Sequence, residues 1–215
     1  MADKIVYTTI IGNEYELHEP IAENKDWKHI CFYSRNKNLK IRKDSKWELI
    51  EIQDKNQTNQ KLSRKIKILQ HNYLPKFNYS LFLDARFTIK TNLDSFLRIH
   101  LGFDDIAVMK HNRRNCAYSE GDYVINQGIA SPSVISQQLF HYGTDGFPKE
   151  FGLFAPGIML RRNNARVTSL MEMWWEEIRK YTYRDQISLA YCLWKSGSKF
   201  GLLPFSETYE RFMNR

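Results

Sequence analysis

The chain has 215 residues, 42% hydrophobic and 14% aromatic with five tryptophans, enough to bury one sizeable core and too rich in rings for a disordered segment. A formal net charge of +8 suits an acidic partner: a nucleic acid, an anionic membrane surface or a phosphorylated small molecule. No apolar run is long enough to span a membrane, the N-terminus turns polar too soon for a signal peptide, and Cys31, Cys116 and Cys192 are too widely spaced for a disulfide framework or zinc knuckle, so a soluble cytoplasmic protein with reduced thiols is expected.

"KIVYTTIIG" (4–12) is a β-branched run closed by glycine and reads as a buried strand; "KHICFYS" and "WELIEI" repeat the pattern. "QKLSRKIKILQHNYLP" places Leu62, Ile66, Leu69 and Tyr73 at helical spacing, with Pro75 just beyond the end. The strand "YSLFLDARFTI" (79–89) follows, giving the order β-β-β-α-β through Arg86. "DDIAVMKH" reads as another strand, and "SPSVISQQLFHYG" as a helix with Ser131 at the N-cap and Pro132 at its first position. "FAPGIMLRRN" is strand-like, "ARVTSLMEMWWEEIRKY" puts Val167, Leu170, Met171, Trp174 and Ile178 on one helix face, and "DQISLAYCLWKSG" forms a helix stopped at Gly197. A last strand, "KFGLLPF", precedes a polar tail.

Strands apolar on both faces, alternating with amphipathic helices, predict an α/β fold: one domain over residues 1–215 with a mostly parallel central sheet flanked by helices. The tail "ETYERFMNR" carries no terminal signal, which leaves room for further domains in a longer chain.

In open α/β sheets ligands bind beyond the carboxyl ends of the strands. The residues there are Thr9 to Gly12, Ser34, Asp84 to Arg86 and Lys110 to Arg114, polar, charged or glycine-rich as a nucleotide pocket needs. Asp84-Ala85-Arg86 stands where many nucleotide-sugar enzymes carry Asp-x-Asp, with arginine in place of the second carboxylate. Arg64, Lys67 and His71 form a cationic stripe at i, i+3 and i+7, which reads either as a diphosphate grip or as a solvated helix face. Basic clusters at "RNKNLKIRKDSK", "KLSRKIK" and "KHNRR" read equally as solvated loops.

"MKHNRRNCAYSEGDYV" gathers His111, Arg113, Arg114, Tyr118, Glu120 and Asp122 and reads as a substrate loop; His111 and Glu120 are too far apart for a structural metal site. Arg184, Asp185 and Gln186 stand at a helix N-terminus, where Asp185 fits either as an N-cap or as a contact to a sugar, or as both. Glu176 and Glu177 are adjacent on a helix, point about 100° apart and cannot flank one bond. Trp174 belongs to the core by spacing, and Trp175 reads as a packing contact before a sugar-stacking platform.

Taken in order, R-x-x-K at Arg64 and Lys67, the Asp84 strand end, K-H-x-x-R-x-C-x-Y from Lys110, W-W-x-E from Trp174 and R-D-Q at Arg184 resemble a glycosyltransferase-like family over nearly the whole chain. The family includes plant proteins of mucilage synthesis and turgor regulation and bacterial polysaccharide enzymes, and the resemblance extends to a glycosyltransferase domain serving a viral capsid glycan. It implies a GT-A-like fold and transfer of a sugar, of rhamnose or glucose type, from a UDP-sugar to a carbohydrate or glycoprotein hydroxyl. Thr9, Ile10 and Gly12 would then line the uridine and ribose, and Arg64 and Lys67 would face the diphosphate. Ala85, Arg86, His111, Arg114 and Gln186 would complete the donor site. The resemblance gives catalytic roles to Asp84 and Asp185, Asp84 holding metal or ribose and Asp185 meeting the reacting sugar as base or nucleophile.

The departure at Arg86 bears on the Mn²⁺ or Mg²⁺ that the resemblance implies, because arginine cannot coordinate a cation. Either Asp84 works with a second ligand, His111 being the first choice, or Arg86 replaces part of the metal's charge. A nucleotidyl or phosphoryl transferase would need a P-loop or a close carboxylate pair, and neither occurs. The alternatives are a sugar-nucleotide binder without turnover and a basic nucleic-acid-binding module, which would need a continuous cationic surface; no nucleic-acid partner and no membrane span are expected.

Overall fold

Seven strands follow from the β-branched and aromatic runs: β1 (Lys4–Ile10), β2 (Trp27–Tyr33), β3 (Glu48–Glu51), β4 (Tyr79–Leu83), β5 (Ile106–Lys110), β6 (Phe154–Arg162) and β7 (Gly201–Leu203). The computed structural model describes residues 3–12, 16–34, 44–54 and 56–213, so most of the basic cluster at 35–46 lies outside the described residues. The strands form one sheet in the order β3-β2-β1-β4-β6-β5-β7. β3, β2, β1 and β4 run parallel, β6 runs antiparallel to both β4 and β5, and β7 pairs parallel with β5. This is the expected α/β domain with a mostly parallel sheet.

Both faces of the sheet are covered, as a largely parallel sheet requires. Side chains alternate along β1: Ile5 and Tyr7 enter one apolar layer, Val6 and Ile10 the other. The first layer packs beneath α1 (Asn59–Ile68), α3 (Ala117–Asn126), α4 (Pro132–Thr144), α5 (Ala165–Lys180) and α6 (Asp185–Lys195). The second packs beneath α2 (Leu93–His100) and α7 (Phe205–Phe212). Trp174 is fully buried and Trp175 nearly so, both within the first layer, and no helix among the described residues is long and apolar enough to cross a membrane.

Three local expectations are corrected. The helix expected to run on through Leu69 and Tyr73 ends at Ile68, with a short 3-10 turn over Gln70–Asn72. The reason is tertiary: the Lys67 carbonyl accepts from the Tyr7 hydroxyl at 2.6 Å and from Arg161 at 3.1 Å, and the Ile68 carbonyl accepts from Arg161 at 3.4 Å. Buried side chains thus take the carbonyls that another helical turn would use. The segment read as a substrate loop contains α3, whose inward stripe is Ala117, Gly121 and Val124. The polar tail is helix α7, with Phe212 fully buried against Phe96. At α4, Ser131 occupies the N-cap and Pro132 the first turn as expected, with the Ser131 hydroxyl paired to Ser133.

The pairing of β5 with β6 slips between Val108, opposite Met159, and Met109, opposite Ala155. Pro156, which cannot donate a ladder bond, sits in this bulge beside Gly157. Because β6 is antiparallel, its bulged beginning lies at the same edge of the sheet as the carboxyl ends of β1 and β4.

Candidate functional site

A cavity of about 350 Å³ opens at that edge. It is lined by Thr9 from β1, Ser63, Arg64 and Lys67 from α1, Asp84 to Arg86 after β4, Ala155 to Gly157 from the bulge, and Arg184 to Gln186 at the start of α6. A larger and more apolar cleft, about 650 Å³, lies elsewhere beside Phe103 and Leu170. There Asp105 and Arg166 neutralise each other at 2.7 Å, whereas six charged side chains meet in the smaller cavity at the carboxyl edge of the sheet, which makes it the candidate site.

The bulge positions Asp84. Its backbone N–H donates to the Gly157 carbonyl at 2.8 Å, and a Cβ on residue 157 would lie only 2.6 Å from the Asp84 Oδ2. The carboxylate therefore rests on a surface that only glycine leaves open. Arg86 lays its guanidinium over the buried ring of Phe87, 4.8 Å from its centroid, and brings Nη2 to 3.8 Å from Asp84 Oδ2.

Asp185 is the floor of the site. Its Oδ2 lies 2.8 Å from Lys67 Nζ and 2.9 Å from Arg64 Nε. Burial raises the pKa of Asp185, but Arg64 and Lys67 pull harder and hold it down at about 2. Lys67, only 2% exposed, has its pKa lowered by burial, with Asp185 and Asp84 pulling back. The expected N-cap role of Asp185 is corrected: Arg184 stands at the N-cap, Asp185 is the first helical residue, and no side chain caps α6.

Arg184, which sequence reasoning left outside the donor site, lines the cavity and is aimed from behind. Its Nη2 contacts Oε1 of Glu120 and Oε1 of Gln186, each at 3.3 Å. Glu120 is fully buried and holds Arg114 Nε at 2.5 Å on its other oxygen. Arg114 in turn stacks on Tyr123, 4.0 Å from the ring centroid. Glu120 and Arg114 thus stand behind Arg184, outside the cavity lining.

Of the expected donor residues, the fold brings together Thr9, Arg64, Lys67, Asp84, Ala85, Arg86, Asp185 and Gln186. Ile10 does not reach the cavity; its side chain is core on the opposite sheet face. Gly12 has φ +82°, and a Cβ there would fall 2.0 Å from Asn59 Nδ2, so glycine lets the chain after β1 lie against the start of α1 while its N–H donates to Ser34 Oγ at 2.8 Å. His71 leaves the stripe and meets Glu172 of α5 at 2.8 Å. His111 is not among the lining residues; its Nδ1 accepts from the backbone N–H groups of Arg113 and Arg114 at 3.2 and 3.0 Å. Burial lowers its pKa, and a neutral ring accepting at Nδ1 carries its proton on Nε2, so neither nitrogen offers a lone pair.

A family model described as TOD1/MUCI70, glycosyltransferase-like domain, matches residues 2–213. The chain belongs to this family. No curated protein matches its sequence. Among solved structures, the apo form of mouse xyloside xylosyltransferase 1 is similar in outline, with 11% identity, a TM-score of 0.47, and coverage of 93% of this chain and 84% of that one. The α/β architecture with a mostly parallel sheet expected from the sequence is the one observed.

A resident divalent cation fits this donor set poorly. Cations of the Mg²⁺ and Mn²⁺ type prefer several oxygen ligands, often from more than one carboxylate. Among the described residues no three His, Cys, Asp or Glu side chains converge on a common point. Of the two carboxylates that line the cavity, Asp185 is already engaged by two cations, and Asp84 has Arg86 beside it.

Proposed function

We propose that the cavity binds the diphosphate of a nucleotide sugar and that the domain transfers the sugar to a carbohydrate hydroxyl. The observation that carries this reading is the convergence of Arg64, Lys67, Arg86 and Arg184 around Asp84 and Asp185 at the carboxyl edge of the sheet, in a chain of a glycosyltransferase-like family. Breaking the bond from sugar to phosphate leaves negative charge on the departing nucleotide, and cations fixed in a partly closed site stabilise it without reorganising. Arginine forks suit phosphate oxygens, and the backbone N–H groups at the start of α6 add the positive end of a helix dipole.

Thr9, hydrogen-bonded to Ser63 at 2.9 Å, forms the polar wall nearest the turn at Gly12 and is where the nucleoside is placed. Asp84, partly exposed and backed by Gly157, is the carboxylate open to the ribose or the reacting sugar. Asp185 acts chiefly as the fixed counter-charge that holds Lys67 and Arg64 in place, since a carboxylate with a pKa of about 2 is a weak base. A UDP donor carrying rhamnose or glucose is the finer form of the proposal, resting on the sequence resemblance.

The reading is tested by thermal shift with UDP and a panel of UDP-sugars, with and without Mn²⁺. A rise in melting temperature with UDP, larger with the cognate sugar, is expected. No shift at saturating UDP under either condition would overturn it. A shift without any donor hydrolysis or transfer would identify a sugar-nucleotide binder lacking turnover.

A further inference from the structure

Resting on that donor reading, we infer that the site binds its diphosphate without a resident divalent cation, with Arg86 and Arg184 supplying the positive charge that a metal supplies elsewhere. An Asp-x-Asp strand end with a bound divalent cation carries no net charge, and Asp84-Ala85-Arg86 carries none with nothing bound. A divalent cation placed on Asp84 would raise that strand end to two positive charges, with Arg86 Nη2 already 3.8 Å from the same carboxylate. Like charges so close repel strongly in a partly desolvated cavity.

Position supports the same conclusion. Arg86 is braced over Phe87, whose ring is buried, while its guanidinium remains about half exposed at the cavity. Arg184 is held by Glu120, which is itself fixed by Arg114, so a forked donor is aimed across the cavity before any ligand arrives. Counting Arg114 and Glu120, five cations face three carboxylates around the site, a net excess that a diphosphate would cancel. His111, the first choice for a second metal ligand, has its Nδ1 occupied by two backbone N–H groups.

The experiment is isothermal titration of the full chain with UDP in EDTA and again in Mn²⁺. The expected result is the same Kd within about twofold in the two buffers, weakening as salt is raised. The variant Arg86→Asp restores a carboxylate pair and should bind UDP at least about tenfold more weakly in EDTA, with Mn²⁺ recovering the loss. Arg184→Gln should weaken UDP about tenfold in both buffers, circular dichroism showing the fold retained.

Wild-type binding that appears only with Mn²⁺ overturns this inference and leaves the donor reading standing. Binding in neither buffer removes both. An unchanged Kd in Arg86→Asp in EDTA, or in Arg184→Gln, removes that arginine from the role.

Discussion

Asp185 lies on the cavity floor with one carboxylate oxygen shared between Lys67 and Arg64. R-D-Q at a helix start marked it as a sugar contact or a cap, and the fold does bring it to the cavity floor. What the sequence did not carry is that Lys67 and Arg64, 118 and 121 positions earlier, would converge on one oxygen. Helical spacing placed those two on a common stripe but left its orientation open, and Lys67 turns inward to 2% exposure. Asp185→Asn therefore strips a buried ammonium of its nearest carboxylate, and a loss of about 3 kcal/mol in urea denaturation is expected. UDP affinity should fall with it, because the cations lose their anchor. Hydrolysis lost while stability and UDP affinity stay intact would instead put Asp185 at the reacting sugar. The pH dependence has a definite sign: the folded pKa, about 2, lies below the unfolded value near 4, so the contribution is present above about pH 4 and disappears as pH falls towards 2.

Among the elements, the strands were legible because their signal is local: β-branched runs closed by polar or glycine residues. α5 and α6 were legible for the same reason, through apolar stripes at helical spacing. α3 was not, because its buried stripe is made of small residues. Gly121 reads as a turn, yet it lets α4 approach so closely that a Cβ would meet Leu139 at 2.5 Å. The β6 bulge had a faint signal in Pro156-Gly157, but its consequence, a seat for Asp84, depends on a strand more than 70 positions away. The basic stretch on α1 also divides in three dimensions. Arg64 and Lys67 enter the cavity, Lys65 pairs with Asp54 at 3.5 Å, and Lys61 donates to the Arg179 carbonyl at 3.2 Å, so the helix presents no continuous cationic stripe.

The end of α1 rests on Tyr7, and this gives an element-scale test. Burial, opposed by Arg161, raises the Tyr7 pKa to about 12, so the phenol stays protonated and donates to the Lys67 carbonyl while accepting from the Arg161 guanidinium. Tyr7→Phe keeps the ring and its packing against Phe82 but leaves a buried guanidinium short of one acceptor. A loss of about 1–3 kcal/mol in urea denaturation is expected, together with weaker UDP binding, since the same carbonyl belongs to Lys67. Unchanged stability would mean that the Arg161 contacts to α1 suffice to end the helix.

For the whole molecule, acid acts first through histidine. Burial lowers the pKa of His29 to about 4, with Lys46 lowering it further and the Trp27 backbone and Glu19 opposing. His100 and His111 are lowered by burial as well. In each case the folded value lies below the unfolded one near 6.5, so between the two the unfolded chain binds more protons and stability rises with pH. For His29 the penalty is small at neutral pH and grows as pH falls through the window from about 6.5 to 4. For His29 alone, going from pH 7 to pH 5 is expected to cost about 2 kcal/mol. Protonation also adds to a chain already at +8, so general self-repulsion runs in the same direction and must be separated from the local effect. His29→Leu removes the titrating ring that packs edge-on against Trp47 at 5.4 Å while leaving the other charges in place. Denaturation of wild type and variant at the two pH values isolates the term: the variant should lose less stability between pH 7 and pH 5 by about 2 kcal/mol. Equal losses in the two proteins would assign the acid sensitivity to charge repulsion and the other histidines.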